Sequence, residues 1–122
     1  MSDEHGAALP ADGGAPGAAY LAYHNALVKR DQAALKPLLS ADRRNTWIDA
    51  EKKGQLGAFV DYLASEDPEK SVRITRGYAK PGIAVLLVAG ESAVGKLVGE
   101  VLLMKENDAW RVDDELMELE QR

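Results

Sequence analysis

The stretch from Ser71 to Leu116 leaves this chain few folds to choose from. It holds four apolar, β-rich runs: SVRITRGYA, GIAVLLVAG, GKLVGEVLLMK and AWRVDDELM. The pattern predicts strands over Val72–Ala79, Ile83–Ala89, Lys96–Lys105 and Ala109–Leu116. Only Lys80-Pro81-Gly82, the loop from Gly90 to Gly95 and Glu106-Asn107-Asp108 separate them. A parallel pair needs a crossover of about a dozen residues or more, so these strands must pair antiparallel in order. Pro-Gly, Gly with Ser, and Asn-Asp supply the turn chemistry.

The residues before this block read as helices. Tyr20, Tyr23, Leu27 and Val28 share one face of a helix from Ala18 to Lys29. Asp31 is a good N-cap for a short element, DQAALKPLLS, in which Leu35, Leu38 and Leu39 share a face and Pro37 forces a kink or split. Ala41 to Asn45 reads as a polar connection. A third helix is predicted from Thr46 to Ser65, with Leu56, Phe59, Val60 and Leu63 as its stripe, Trp47 and Ile48 at its start, and Asp67-Pro68 ending it. Three helices followed by a four-stranded antiparallel sheet is an α+β architecture.

A chain of 122 residues has room for one domain, here 18–118. Met1 to Gly17 is a Gly/Ala/Pro/Asp stretch with little to bury and reads as a disordered tail. The net charge is −5 and no basic stripe is present, which argues against a nucleic-acid partner. The absence of cysteine excludes disulfides and thiolate metal sites and leaves the compartment open. No apolar run approaches the ~20 residues of a membrane span. No basic, then apolar leader precedes the tail, so the protein is cytoplasmic if Met1 is its native start. If an export leader has been replaced by Met, it is periplasmic or secreted.

Strands two and three lack the alternation of a sheet with one wet face. Ile83 to Ala89 is apolar on both sides, as are Val101 to Met104. A second subunit is the simplest cover for the second face, which makes the chain a homodimer through its sheet. A wrapped fold whose helices enclose more of the sheet is the competing account.

Gly90 to Lys96, GESAVGK, satisfies the G-x-x-x-x-G-K core of a phosphate-binding loop and looks like that of Ras-type small GTPases. The physics is against it. Leu97 stands where a Mg²⁺-binding Ser or Thr is needed, and the run after Lys96, LVGEVLLMK, is β-rich. A phosphate loop needs a helix there, with its N-terminus facing the phosphates. The loop reads as a hairpin connection, and no nucleotide is expected.

The order of elements resembles the nuclear-transport-factor-2-like superfamily, the cystatin-like α+β cone. The matching stretches are AAYLAYHNALVKRDQAALKPLLS, in which Lys29-Arg30-Asp31 with Ala34 and Leu35 fit its second helix, and GEVLLMKENDAWRVDDELM, in which Met104 to Val112 fit its last hairpin. The flavour is that of small bacterial domains. The resemblance implies three helices on a curved sheet and a conical pocket, and it specifies little about activity, because such folds host isomerases, dehydratases, adaptors and inert accessory domains alike.

Pocket candidates are Tyr20, Tyr23, His24, Trp47, Tyr62, Arg76, Tyr78, Trp110 and Asp114. Alternation puts Trp110, Val112, Asp114 and Leu116 on one face of the last strand, and Val72, Ile74, Arg76 and Tyr78 on one face of the first. Arg76 and Asp114 then each sit on an apolar face, where a structural pair is the simplest reading. A dehydratase of this resemblance would use a His–Asp pair with His24; an isomerase would use an Asp base with a Tyr. A lone His outside the tail is too little for a metal site, and no cofactor is expected. The reading is a non-catalytic accessory or binding domain, dimeric, with a small apolar ligand or partner protein in the cone. A small isomerase- or dehydratase-type enzyme is the alternative.

Overall fold

Three short turns fix the sheet. In the computed structural model, which describes residues 6–120, Gly82 follows Pro81 at φ 82, and Asn107 and Asp108 take φ 51 and 65. Paired positive φ angles match the right-handed twist of flanking strands, which is why short hairpins select such residues. The turns join β2 (Ser71–Lys80), β3 (Ile83–Ser92), β4 (Gly95–Glu106) and β5 (Ala109–Leu119), all antiparallel neighbours. A two-residue strand, β1 (Ala7–Ala8), pairs along the free side of β2, giving the order β1-β2-β3-β4-β5.

Of the stretch read as a disordered tail, residues 6–17 therefore have a described course, while residues 1–5 lie outside the described residues. The Leu9 N–H donates to the Gly77 carbonyl at 2.8 Å. The first helix, α1, begins at Gly14 rather than Ala18 and ends at Lys29. Arg30, at φ 54, closes it with its N–H on the carbonyls of Ala26 and Leu27, a left-handed helix end of the common kind. Asp31 caps α2 (Gln32–Leu35) by accepting the Ala34 N–H, and Pro37 sits in a single 3₁₀ turn, Lys36–Leu38.

The expected third helix is two helices. α3 runs Ala41–Lys52, including the residues read as a polar connection, because Ser40 caps it by accepting the Arg43 N–H. α4 runs Leu56–Ser65. Gly54, at φ 70, makes the break; this backbone region is open to Gly at little cost. The architecture is thus α+β with four α-helices and a five-stranded antiparallel sheet.

The helices pack on one face of the sheet. Tyr20, Leu27, Leu35 and Leu39 meet Leu86, Val101, Leu103 and Val112 in the core, all at most 2% exposed. Val28, expected on the buried face of α1, is 51% exposed, and His24 takes the buried place.

Two register shifts decide which strand residues join that core. One lies in β2, where Ile74 pairs with Val88 but Arg76 with Leu87, so Thr75 is extra. The other lies in β5, where Val112 pairs with Leu103 but Asp114 with Leu102, so Asp113 is extra. A bulge inserts one residue into one strand and reverses the alternation beyond it. In β2, Val72 and Ile74 face the helices, then Gly77 and Ala79, while Arg76 and Tyr78 turn to the opposite face. In β5, Val112 faces the helices, and beyond the bulge Glu115 does, not Asp114 or Leu116. The shared faces read from strict alternation are corrected at both places.

Candidate functional site

The four polar side chains that meet inside the core come from three elements. Tyr20 and His24 stand one turn apart on the buried face of α1. Asp67 lies in the turn after α4, before Pro68. Glu115 points inward from β5 because of the bulge at Asp113. All four are at most 8% exposed.

Their contacts form a chain. The Tyr20 hydroxyl lies 2.6 Å from Glu115 Oε2 and 3.0 Å from Asp67 Oδ1. Asp67 Oδ2 is paired with His24 Nδ1. A phenol has one proton, so it can donate to only one of two carboxyl oxygens. The Glu115 side chain supplies the second proton. Burial, then the neighbouring Asp67, pushes its carboxyl up to about 10, and the contact with Tyr20 opposes the rise only partly. A neutral Glu115 donates to the Tyr20 oxygen, Tyr20 donates to Asp67, and His24 donates to the other Asp67 oxygen. Burial, together with these acids, pushes the Tyr20 hydroxyl well above the usual phenol range, so it keeps its proton. Tyr23 is raised in the same way, by burial first and by Glu115 and Asp67 next; its ring lies 6.4 Å from that of Tyr20. Glu115 Oε1 is buried without a hydrogen-bond partner among the described residues.

There is little room beside this group. Between Tyr23, Arg43, Leu63 and Glu115 the free volume is about 10 Å³, hardly enough for a single water. Larger hollows lie on the surface, among them an open groove of about 350 Å³ beside Leu27, Ala64 and Asp67. Beside Tyr23 and Glu115 the space between the helices and the sheet is filled by side chains.

The sequence-derived candidates divide accordingly. Tyr20, Tyr23 and His24 are brought together. Trp47 is core, edge-on to Phe59 at 6.5 Å between α3 and α4. Tyr62 is 51% exposed on α4. Trp110 sits at the end of the sheet with the Lys105 ammonium 5.7 Å from its ring. Arg76 and Tyr78 are on the far face of the sheet. The expected Arg76–Asp114 pair is not formed: Asp114 Oδ1 takes the Arg43 guanidinium at 2.9 Å instead. That bond ties α3 to the bulge, together with Ser40 Oγ on Asp113 Oδ1 at 2.7 Å and Arg43 Nε on the Asp113 carbonyl at 2.6 Å.

Asp67 and Glu115 are absent from the residues that the sequence singles out. Asp67 carries a signal, since a His24 on a buried helix face needs a partner, but Asp67-Pro68 is equally well explained as a helix stop. Glu115 carries none, because Asp113, Asp114 and Glu115 are three acids in a row and only the bulge selects among them.

GESAVGK spans the end of β3, a turn at Ala93–Val94 and the start of β4, with Gly95 at φ 135. Lys96 continues into β4, not into a helix. Among the described residues no three His, Cys, Asp or Glu side chains converge with metal-site geometry, and no helix is long and apolar enough to cross a membrane. Compared with known protein families, curated proteins and solved structures, the chain matches none.

Proposed function

We propose that the protein is a non-catalytic binding domain of the cone type that acts through its outer surface as a homodimer. The filled cone carries this reading. Small-molecule pockets run to about 300 Å³ or more, whereas the space beside Tyr23 and Glu115 is about 10 Å³ and the larger groove at Asp67 is open to the surface. The four polar side chains also bond to one another, as a structural tie between α1, the α4–β2 turn and β5 would. The far face of the sheet supplies the surface: among the described residues no helix covers it, and Ile83, Val85, Leu87, Leu102 and Met104 run down its centre. Leu116, at 63% exposed, stands beside them on β5.

A second reading, an isomerase- or dehydratase-type enzyme, rests on the buried Tyr20–Glu115–Asp67–His24 chain itself. A carboxyl held neutral beside a tyrosine is a proton donor of the kind such reactions use, and α1 and α4 would have to part to admit a substrate. An amide-resolved NMR titration with small hydrophobic carbonyl compounds and fatty acids separates the two. Unmoved resonances at Tyr20, His24 and Asp67, in a particle of twice the monomer mass by light scattering, are expected. Saturable shifts at those three residues would replace the binding-domain reading with the enzymatic one.

A further inference from the structure

The far face of the sheet carries charge in an arrangement that specifies its partner. Because of the bulge at Thr75, β2 presents Arg73, Arg76 and Lys80 on this face, all exposed. On the other side, β4 and β5 present Glu100 and Glu118, also exposed. Between them lie the apolar side chains of β3 and β4, with Glu91 and Lys96 opposite each other at one end. Across the sheet the rows read Arg73, Ala89, Val98, Glu118 and Arg76, Leu87, Glu100, Leu116. Arg73 and Glu118 are three strand spacings apart, roughly 14 Å, too far to pair within one chain. No ion pair involves Arg73, Arg76, Glu100 or Glu118 among the described residues.

We infer that the occupant of this face is a second copy of the chain, related by a two-fold axis running along the strands between β3 and β4. This rests on the dimeric reading above and adds its geometry. Rotation about such an axis keeps each row level and exchanges its ends, so β2 of one copy lies over β5 of the other. Arg73 then meets the second copy's Glu118, twice by symmetry, and Arg76 lies beside the second copy's Glu100. The apolar centres meet between them, as in aligned sheet packing. An axis across the strands would instead set the cations of β2 against themselves. Lys80 and Arg111 share the end row, and there the Arg111 guanidinium is drawn back onto the Pro37 carbonyl of its own chain. An isologous interface built this way has an apolar core and a charged rim whose pairs choose the orientation.

Two exposed-site variants test it. Arg73→Glu and Glu118→Arg should each weaken the dimer about tenfold or more, because each creates two like-charge contacts. Mixed in equal amounts, they should form a heterodimer near wild-type affinity, since both contacts are then opposite in sign. Sedimentation or native mass spectrometry reads this, and recovery on mixing excludes misfolding as the cause of the losses. A dimer that Arg73→Glu tightens or leaves unchanged, or no recovery on mixing, would overturn the geometry and leave the dimeric reading standing. A wild-type chain that stays monomeric at high micromolar concentration would overturn both, while the filled cone would still stand or fall by the ligand titration.

Discussion

The two faces of the sheet are made from the same four strands, yet they handle polar groups in opposite ways. The helix-covered face buries its polar groups and links them into one chain, Glu115 to Tyr20 to Asp67 to His24. The far face keeps most of its charges exposed, around an apolar patch of Ile83, Val85, Leu87, Leu102 and Met104. Burial by the protein's own helices demands internal satisfaction of each polar group, since an unpaired one costs about 1–3 kcal/mol. A face left to solvent or to a partner carries no such demand, and its charges are free to select what docks.

Neighbours in β4 that point to opposite faces put this contrast to its strongest test. Leu103 is 0% exposed, and Leu103→Ala should cost about 2–5 kcal/mol in denaturant unfolding, the usual range for a buried Leu. Leu102→Ala, measured at a concentration where the chain is monomeric, should cost under about 1 kcal/mol. Equal losses would mean that the far face is covered within one chain, and the wrapped-fold account would return.

Next in size is Tyr20→Phe. It removes the hydroxyl that both accepts from Glu115 and donates to Asp67, and a loss of about 1–3 kcal/mol is expected. An unchanged midpoint in urea would mean that the polar chain contributes nothing to holding α1 on β5.

The pH dependence probes the same chain. The Glu115 carboxyl moves from an ordinary value of 4.5 to about 10 on folding. Between those values the folded chain holds a proton that the unfolded chain has lost. Stability from this group is therefore fully present below pH 4.5 and falls as pH rises toward 10. The slope is at most about 1.4 kcal/mol per pH unit. Glu115→Gln mimics the protonated form. It should unfold with nearly wild-type stability near pH 4.5 and be more stable than wild type at about pH 8, by about 1–2 kcal/mol once relaxation around the group is allowed for. A difference that does not grow with pH would show that Glu115 is ionised in the fold.

At the other end of the scale no effect is expected. Millimolar Mg²⁺-ATP should leave the melting temperature unchanged, because Gly90 to Lys96 is a hairpin connection with no helix N-terminus behind it. A concentration-dependent rise would revive the phosphate-loop reading.

Much of the fold is legible in short-range chemistry. The helical half, the four main strands and their antiparallel pairing follow from turn residues that act locally. Asp31 as an N-cap and the break at Pro37 are of the same kind. Element ends are less legible. The Ser40 cap pulls α3 back over Ala41–Asn45, and Gly54 splits what the apolar stripe joins. β5 runs on to Leu119, three residues past its apolar pattern, because it is paired with β4 rather than because its own residues favour a strand. The candidate site is half legible: the Tyr20, Tyr23 and His24 face of α1 comes from helical periodicity, and its partners do not.

Residues a few positions apart are enough to settle which segments are strands, where they turn, which face of α1 is apolar, and that both sides of β3 are apolar. Where each strand residue points is a matter of long-range packing. Thr75 and Asp113 become bulges because β2 and β5 must stay paired while fitting beneath helices from another part of the chain. Strand alternation has a period of two, so a single extra residue transfers every side chain beyond it to the opposite face. That one-residue slip puts Glu115 in the core and Arg76 outside, and no local pattern in three consecutive acids could announce it.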